Sequence, residues 1–261
     1  MGHLVFERRG RGRPLVLLPG AGADARLWDL VGALLESSFE LHMAEIAGFA
    51  GRPPSPGPLW PAVRDELFAY VSGLDRAPVI VGHSWGGLLA WSSSTRGAVV
   101  EAVVVIDSMP ALGALVSPDA TTLAEKVAAR VETLSAAAPA ELAGHLEASV
   151  AAMTRTAEQA RRVLALAARS DPTTLAEAMR AAWLTDLRPV LAEGTVPVTV
   201  VLPGDEQLPS TARAFKHGLA RDQIAELPYH RVVEVRHSGH YVMLDQPEAL
   251  AAIIHDAAEG V

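Results

Sequence analysis

Residues 79–90, Val-Ile-Val-Gly-His-Ser-Trp-Gly-Gly-Leu-Leu-Ala, constrain this chain more than any other stretch. The β-branched run that follows Pro78 is too short for a helix and suits a buried parallel strand, whereas Leu88, Leu89, Ala90 and Trp91 continue as an apolar helix start. Between them lies Gly82-His83-Ser84-Trp85-Gly86, a Gly-x-Ser-x-Gly turn. A chain that passes from strand to helix so sharply puts the central residue in a strained conformation, with its side chain exposed at the tip. The residues two before and two after must then be small. Gly82 and Gly86 meet that demand, so Ser84 reads as a nucleophile at the tip of an elbow; the plainer reading is a glycine-rich turn with an idle serine.

Composition narrows the classes. With 261 residues, half of them apolar, the chain can bury a large core as one α/β domain with an insertion or as two small domains. A net charge of -8 without a long basic run argues against nucleic acid and anionic membrane surfaces as partners. The chain has no cysteine, which removes disulfides, thiolate zinc sites and a cysteine nucleophile, and leaves the redox compartment open. Its first ten residues lack the apolar core of a secretory signal, which reads as a cytoplasmic protein or a mature form already processed. No stretch approaches the ~20 apolar residues of a membrane span.

Apolar, β-rich runs recur at 15–18, 39–46, 78–81, 99–106, 196–202 and 231–235, with helical patterns between most of them. That alternation predicts a parallel sheet flanked by helices. Between 117 and 185 the texture changes: Ala, Leu, Glu and Arg dominate, and Pro118, Pro139 and Pro172 fall near the starts of separate amphipathic segments. Helices are expected over 123–134, 139–153, 157–168 and 173–183, with Met153, Met179 and Trp183 packing against one another rather than touching a ligand.

A serine hydroxyl is a weak nucleophile near neutral pH, so a base must take its proton, and imidazole has a suitable pKa. His240 is the strongest candidate: it lies in the loop His237-Ser238-Gly239-His240 between a strand-like run and a last helix opening at Pro247. His237 is a weaker one. His83 is expected to point away from the serine as a packing or orienting residue. No helical metal-binding motif accompanies these histidines, so no metal is expected.

The base in turn needs a carboxylate to fix its tautomer and stabilise the imidazolium. Asp205 follows the run Val196 to Leu202 and Pro203-Gly204, which places it at the carboxyl edge of a strand, where open α/β sheets carry their sites. Asp107, closing Val103-Val104-Val105-Ile106, is its main competitor, and Glu206 is a third option. An oxyanion developing during attack needs two backbone N–H donors. Trp85, directly after the serine, and Ala21, in the glycine turn after Leu15 to Leu18, are the expected pair.

With these residues in place, the chain resembles the α/β-hydrolase superfamily of cofactor-independent serine hydrolases over essentially its whole length. The matching pieces are the elbow around Ser84, Pro19-Gly20-Ala21 before Trp28, Ile46-Ala47-Gly48-Phe49-Ala50-Gly51, Gly204-Asp205, and Gly239-His240 followed by Asp245-Gln246-Pro247. The resemblance implies a mostly parallel eight-stranded sheet flanked by helices, built from 1–110 and 190–261. An all-helical cap over 111–189 would cover the active site. It also implies the order Ser84, Asp205, His240 along the chain. The family's usual His-Gly before the oxyanion residue is Pro19-Gly20 here, and the His-Gly-Gly-Gly run of one branch is missing. Members with a Ser, His and Asp set include esterases, lactonases, C–C bond hydrolases, perhydrolases, acyltransferases and hydroxynitrile lyases.

The expectation is therefore hydrolysis of small to medium, largely uncharged carboxylic esters through an acyl-enzyme on Ser84, without cofactor; the oligomeric state is left open, a homodimer included. A different class also has sequence support. Gly20-Ala21-Gly22-Ala23-Asp24-Ala25 fits Gly-x-Gly-x-x-Gly/Ala, with Glu40 or Glu45 about 20 residues on, as a dinucleotide-binding reductase would need. A catalytically silent ligand receptor on the same scaffold is the third class.

Overall fold

The computed structural model describes residues 2–94, 100–191 and 194–260. Its frame is a seven-stranded sheet: β1 (Leu4–Gly10), β2 (Arg13–Leu18), β3 (Phe39–Ile46), β4 (Val79–His83), β5 (Ala102–Ile106), β6 (Val198–Pro203) and β7 (His230–Val235), in the spatial order β1-β3-β2-β4-β5-β6-β7. All neighbours are parallel except β1 and β3. Strands β4, β5 and β6 are buried at every position, because helices cover both faces, and this is why they read as unbroken Val/Ile/Leu runs. The sequence runs predict these strands closely, although Val99, where the fourth expected run began, lies outside the described residues.

Among the described residues the sheet has seven strands, one fewer than expected. It also contains a strand the apolar runs do not reveal. β1 is an edge strand whose Glu7-Arg8-Arg9 carry charge onto a partly exposed surface, and charged edges of this kind resist pairing with other chains. Tyr70 covers it, stacking on Phe6 at 3.8 Å between centroids and hydrogen-bonding Arg8.

The helices follow the chain. On the sheet lie α1 (Asp29–Leu35), α2 (Leu59–Ser72) and α3 (Trp85–Ser94). Between β5 and β6 come α4 (Ala120–Ser135), α5 (Leu142–Met153), α6 (Ala157–Ala167), α7 (Pro172–Leu184) and the single turn α8 (Arg188–Leu191); α9 (Ser210–Ile224), α10 (Val242–Asp245) and α11 (Pro247–Glu259) complete the chain. Local chemistry sets the starts in the inserted segment. Asp119 and Asp171 accept from backbone N–H groups at the heads of α4 and α7, Thr156 and Gln159 form a reciprocal capping box on α6, and Pro172 occupies a first-turn position that needs no N–H.

This segment is tied to the core along both α6 and α7: the Leu59 N–H donates to Glu177 Oε1 at 2.8 Å, the Ala50 N–H to Ser170 Oγ at 3.0 Å and the Asp171 N–H to the Gly48 carbonyl at 2.7 Å. Arg155 Nη1 reaches Glu206 Oε2 at 3.3 Å, Gln159 Nε2 reaches Asp245 Oδ1 at 2.6 Å, and Arg162 Nη2 reaches the Arg26 carbonyl at 2.7 Å.

Strand order reverses direction between β2 and β4, the neighbours from which the chain winds outward to either side. In an open α/β sheet, the crevice outside the carboxyl ends of the strands at such a point is where ligands bind.

Candidate active site

Ser84 stands at that point. Its φ is +53°, a left-handed value rare outside glycine, and its N–H is pinned to the Ile106 carbonyl of β5 at 3.0 Å. The turn closes so tightly that a Cβ on Gly82 would meet the Gly86 carbonyl, and a Cβ on Gly86 would lie 2.5 Å from the Pro19 carbonyl oxygen. Both glycines are therefore required by close backbone approach. Trp85 opens α3, so its N–H has no acceptor within the helix. Its ring is buried edge-on to Phe49 and Trp60, at 5.5 and 5.9 Å between centroids.

Ser84 opens on a cavity of about 450 Å³ between the sheet edge and α4–α7. Ala21 and Trp85, the expected oxyanion donors, and His240 share its wall. Ala21 lies in a turn closed by the Ala23 N–H on the Gly20 carbonyl, and Gly20 packs against the Ser84 side chain. Met153, Met179 and Trp183, expected only to pack, also line the cavity.

His240 is held from several directions. Its Nδ1 lies 2.6 Å from Asp107 Oδ2, which fixes the tautomer with the Nε2 lone pair available to a proton. The neighbouring Gly239 N–H donates to Asp245 Oδ2 at 2.8 Å, and Ser238, fully buried, donates to the Val235 carbonyl. His83 Nε2 lies 2.9 Å from the His240 carbonyl, so His83 carries its proton on Nε2 and ties the histidine loop to the elbow. Burial, reinforced by nearby His240, pushes the His83 imidazole well below its ordinary value, so it stays neutral. His237 is exposed, and its backbone N–H is engaged by Glu206 Oε1 at 2.7 Å.

The expected acid, Asp205, is not the carboxylate that His240 meets. Asp107 and Asp205 both follow buried strands, and both take left-handed conformations, with φ of +41° and +50°. Asp107, however, ends β5, next to the strand that carries Ser84, whereas Asp205 ends β6, one strand further out. Between the two carboxylates lies Lys216 of α9, with Nζ 2.8 Å from Asp107 Oδ1, 3.0 Å from Asp107 Oδ2 and 2.7 Å from Asp205 Oδ2. Glu206, the third option, faces away toward His237 and Arg155.

The electrostatics follow this geometry. Burial pushes the Asp107 carboxyl up, but the Lys216 ammonium and the His240 hydrogen bond outweigh it and hold the group well below the ordinary carboxylate range. Asp205 is shifted the other way: burial raises it, and the Lys216 charge does not fully offset that. For Lys216, burial works against the charge, while the two carboxylates prevail and raise it.

Lys216 carried no motif, and sequence reasoning missed it. The usable signal was compositional: the chain has only two lysines, Lys126 and Lys216, and uses arginine at every other basic position. An ammonium is a compact point charge that can face two carboxylates at once.

The dinucleotide reading meets an obstacle at the turn after β2. The position a pyrophosphate would take at the following helix start holds the Asp24 carboxylate, which accepts from the Arg26 N–H and pairs with its guanidinium at 2.6 Å.

Comparison with known families matches residues 15–253 to the Alpha/beta hydrolase family. The chain belongs to that family. Among solved structures, this hydrolase is similar to a thermophilic esterase from Thermogutta terrifontis with malate bound, at 20% identity and a TM-score of 0.78 over 98% of this chain and 93% of that one. It is likewise similar to an esterase from Exiguobacterium antarcticum, at 16% identity and 0.79 over 99% and 100%. A third is the enol-lactonase from Burkholderia xenovorans LB400, at 19% identity and 0.75 over 98% and 96%. At these identities the likeness is one of fold. Among the described residues, no helix of the hydrolase is long and apolar enough to cross a membrane.

Proposed function

We propose that the chain hydrolyses carboxylic esters through an acyl-enzyme on Ser84, with His240 as general base, Asp107 as the orienting acid, and the Ala21 and Trp85 N–H groups as oxyanion donors. The observation that carries this reading is the 2.6 Å bond from His240 to Asp107 on the cavity that the strained Ser84 enters.

In the first half-reaction His240 takes the Ser84 proton as the oxygen attacks the ester carbonyl. The same proton then passes from Nε2 to the departing alkoxide, which leaves as the alcohol. In the second, His240 deprotonates a water that attacks the acyl carbonyl, and the proton returns to Ser84 as the acid leaves. Residues 111–189 act as a cap, whose apolar wall of Leu146, Val150, Val163 and Leu175 suits small to medium apolar acyl groups. Arg130 favours a second substrate group. It is the cavity-lining cation on the cap side, it has no carboxylate partner among the described residues, and one Nη2 bond to the His145 carbonyl leaves donors free for a substrate carboxylate.

A fluorophosphonate probe should label Ser84 alone, as peptide mapping will show, and Ser84→Ala should abolish turnover of p-nitrophenyl esters. A panel of short and long fatty acyl esters beside the p-nitrophenyl hemi-esters of adipate and suberate ranks the two substrate groups. An adduct on another residue, or full turnover by Ser84→Ala, would overturn the mechanism.

A further inference from the structure

Lys216 does more than neutralise buried charge, because of where its ammonium sits. It touches both oxygens of Asp107, the carboxylate that already holds His240 Nδ1, and on its other side it is drawn toward Asp205 Oδ2. Four groups thus form one chain, His240, Asp107, Lys216 and Asp205, running from the cavity to the end of β6. A lysine placed only to balance charge would need no contact with the oxygen that carries the histidine bond.

We propose that Lys216 is a positioning residue of the reaction and Asp205 its counterweight: the ammonium fixes the Asp107 carboxylate against His240 and takes up part of its charge, while Asp205 limits how much. This rests on the Ser84, His240 and Asp107 reading above.

The signs follow from Coulomb's law. A bare Asp107 carboxylate favours the imidazolium form, so the base would become available only at higher pH; sharing that carboxylate with Lys216 moves availability to lower pH. Asp205 draws the ammonium the other way and moderates the effect. The other titratable or charged groups around this chain are His83 and Tyr241 against the His240 ring, His217 at 3.9 Å from Asp205 with Glu234 beside it, and Asp245, Glu206, His237 and Arg155 around the histidine loop. His83 stays neutral, and burial raises the Tyr241 hydroxyl, so neither changes charge between about pH 5 and 9.

The test is the rate of Ser84 labelling by a fluorophosphonate between about pH 5 and 9, which needs no knowledge of the natural substrate. Lys216→Gln removes the charge and should move the acid limb of the profile to higher pH by about one unit, whereas Asp205→Asn frees the ammonium to act on Asp107 alone and should move it to lower pH. Lys216→Arg restores the charge and should bring the limb back toward wild type. Opposite displacements are the supporting result. Limbs that stay in place while only the melting temperature falls would make Lys216 a structural neutraliser, and displacement of both variants in one direction would equally overturn the proposal. Should Lys216→Gln fail to fold, Asp205→Asn decides alone: a limb that stays or rises overturns it. If Asp107→Asn labels as fast as wild type, the underlying reading fails and this one with it, whereas normal Asp107 dependence with unshifted limbs fails this one alone.

Discussion

Two aspartates with the same local geometry have different partners in this hydrolase, and the roles proposed for them follow from those partners. Asp107 receives the His240 Nδ1–H, whereas Asp205 faces Lys216 and the Gln207 amide. Asparagine at 107 can present its amide nitrogen to the imidazole, which favours the wrong tautomer, and it cannot stabilise the imidazolium. Asp107→Asn should therefore lower kcat/KM by about 10⁴-fold for any ester turned over, whereas Asp205→Asn should stay within about tenfold of wild type. Steady-state kinetics at one pH, with circular dichroism to confirm folding, compares them directly. Sequence pattern could not make this choice. Both residues close a Val-rich strand and precede a turn, and what separates them is the reach of the 236–240 loop across the sheet edge and a lysine that approaches from a distant helix.

At the scale of elements, the β4-turn-α3 unit fits its surroundings so closely that one methyl group should disturb it. A Cβ on Gly86 would collide with the Leu18 and Pro19 carbonyls, and the backbone that would have to move is the one leading into Ala21. Gly86→Ala should lower stability by about 1–3 kcal/mol and slow Ser84 labelling together, measured by thermal unfolding and probe kinetics on the same samples. Gly144 in α5 gives the contrast, since nothing lies within 4 Å of its added Cβ. Gly144→Ala should leave labelling unchanged and raise stability by up to ~1 kcal/mol. The elbow was readable in sequence because close approach demands glycine at fixed spacing, and the central strands because burial on both faces demands unbroken apolar runs. β1 was not, since an edge strand satisfies its partner with backbone alone and leaves its side chains free to be charged. The inserted helices were readable to within a few residues from apolar spacing, although which faces packed and which lined the cavity was not.

For the whole molecule, acid should be a sharper threat than base. Asp107 is held below the ordinary carboxylate range in the folded state, and so is Glu66, where burial is outweighed by bonds from the His3 and Leu4 backbone and the His3 ring. A carboxylate with a depressed folded value contributes stability above its unfolded value of about 4 and loses it as pH falls toward the folded one. Asp205, which is raised, works in the opposite sense and above that window: it costs stability at neutral pH, and the cost is relieved as pH falls from its folded value toward about 4. Melting temperature should thus fall steeply below about pH 4, and Asp107→Asn should flatten that slope while lowering stability at neutral pH. Unchanged slopes in the variant would show that other carboxylates govern acid unfolding.

The uneven fastening of the inserted helices bears on how anything reaches Ser84. Arg155, Gln159 and Arg162 stitch the α6 side to the sheet edge, and the Gln159 stitch continues through Asp245 to the amide beside His240. Among the described residues, α5 has no such bond to the sheet. Opening along the α6 seam would pull on the loop that carries His240, whereas parting along α4 and α5 would leave Ser84, His240 and Asp107 in place. With fastenings along α6 and α7 and none from α5 to the sheet among the described residues, traffic through the cavity is expected past α4 and α5, where it would leave the loop that carries His240 in place.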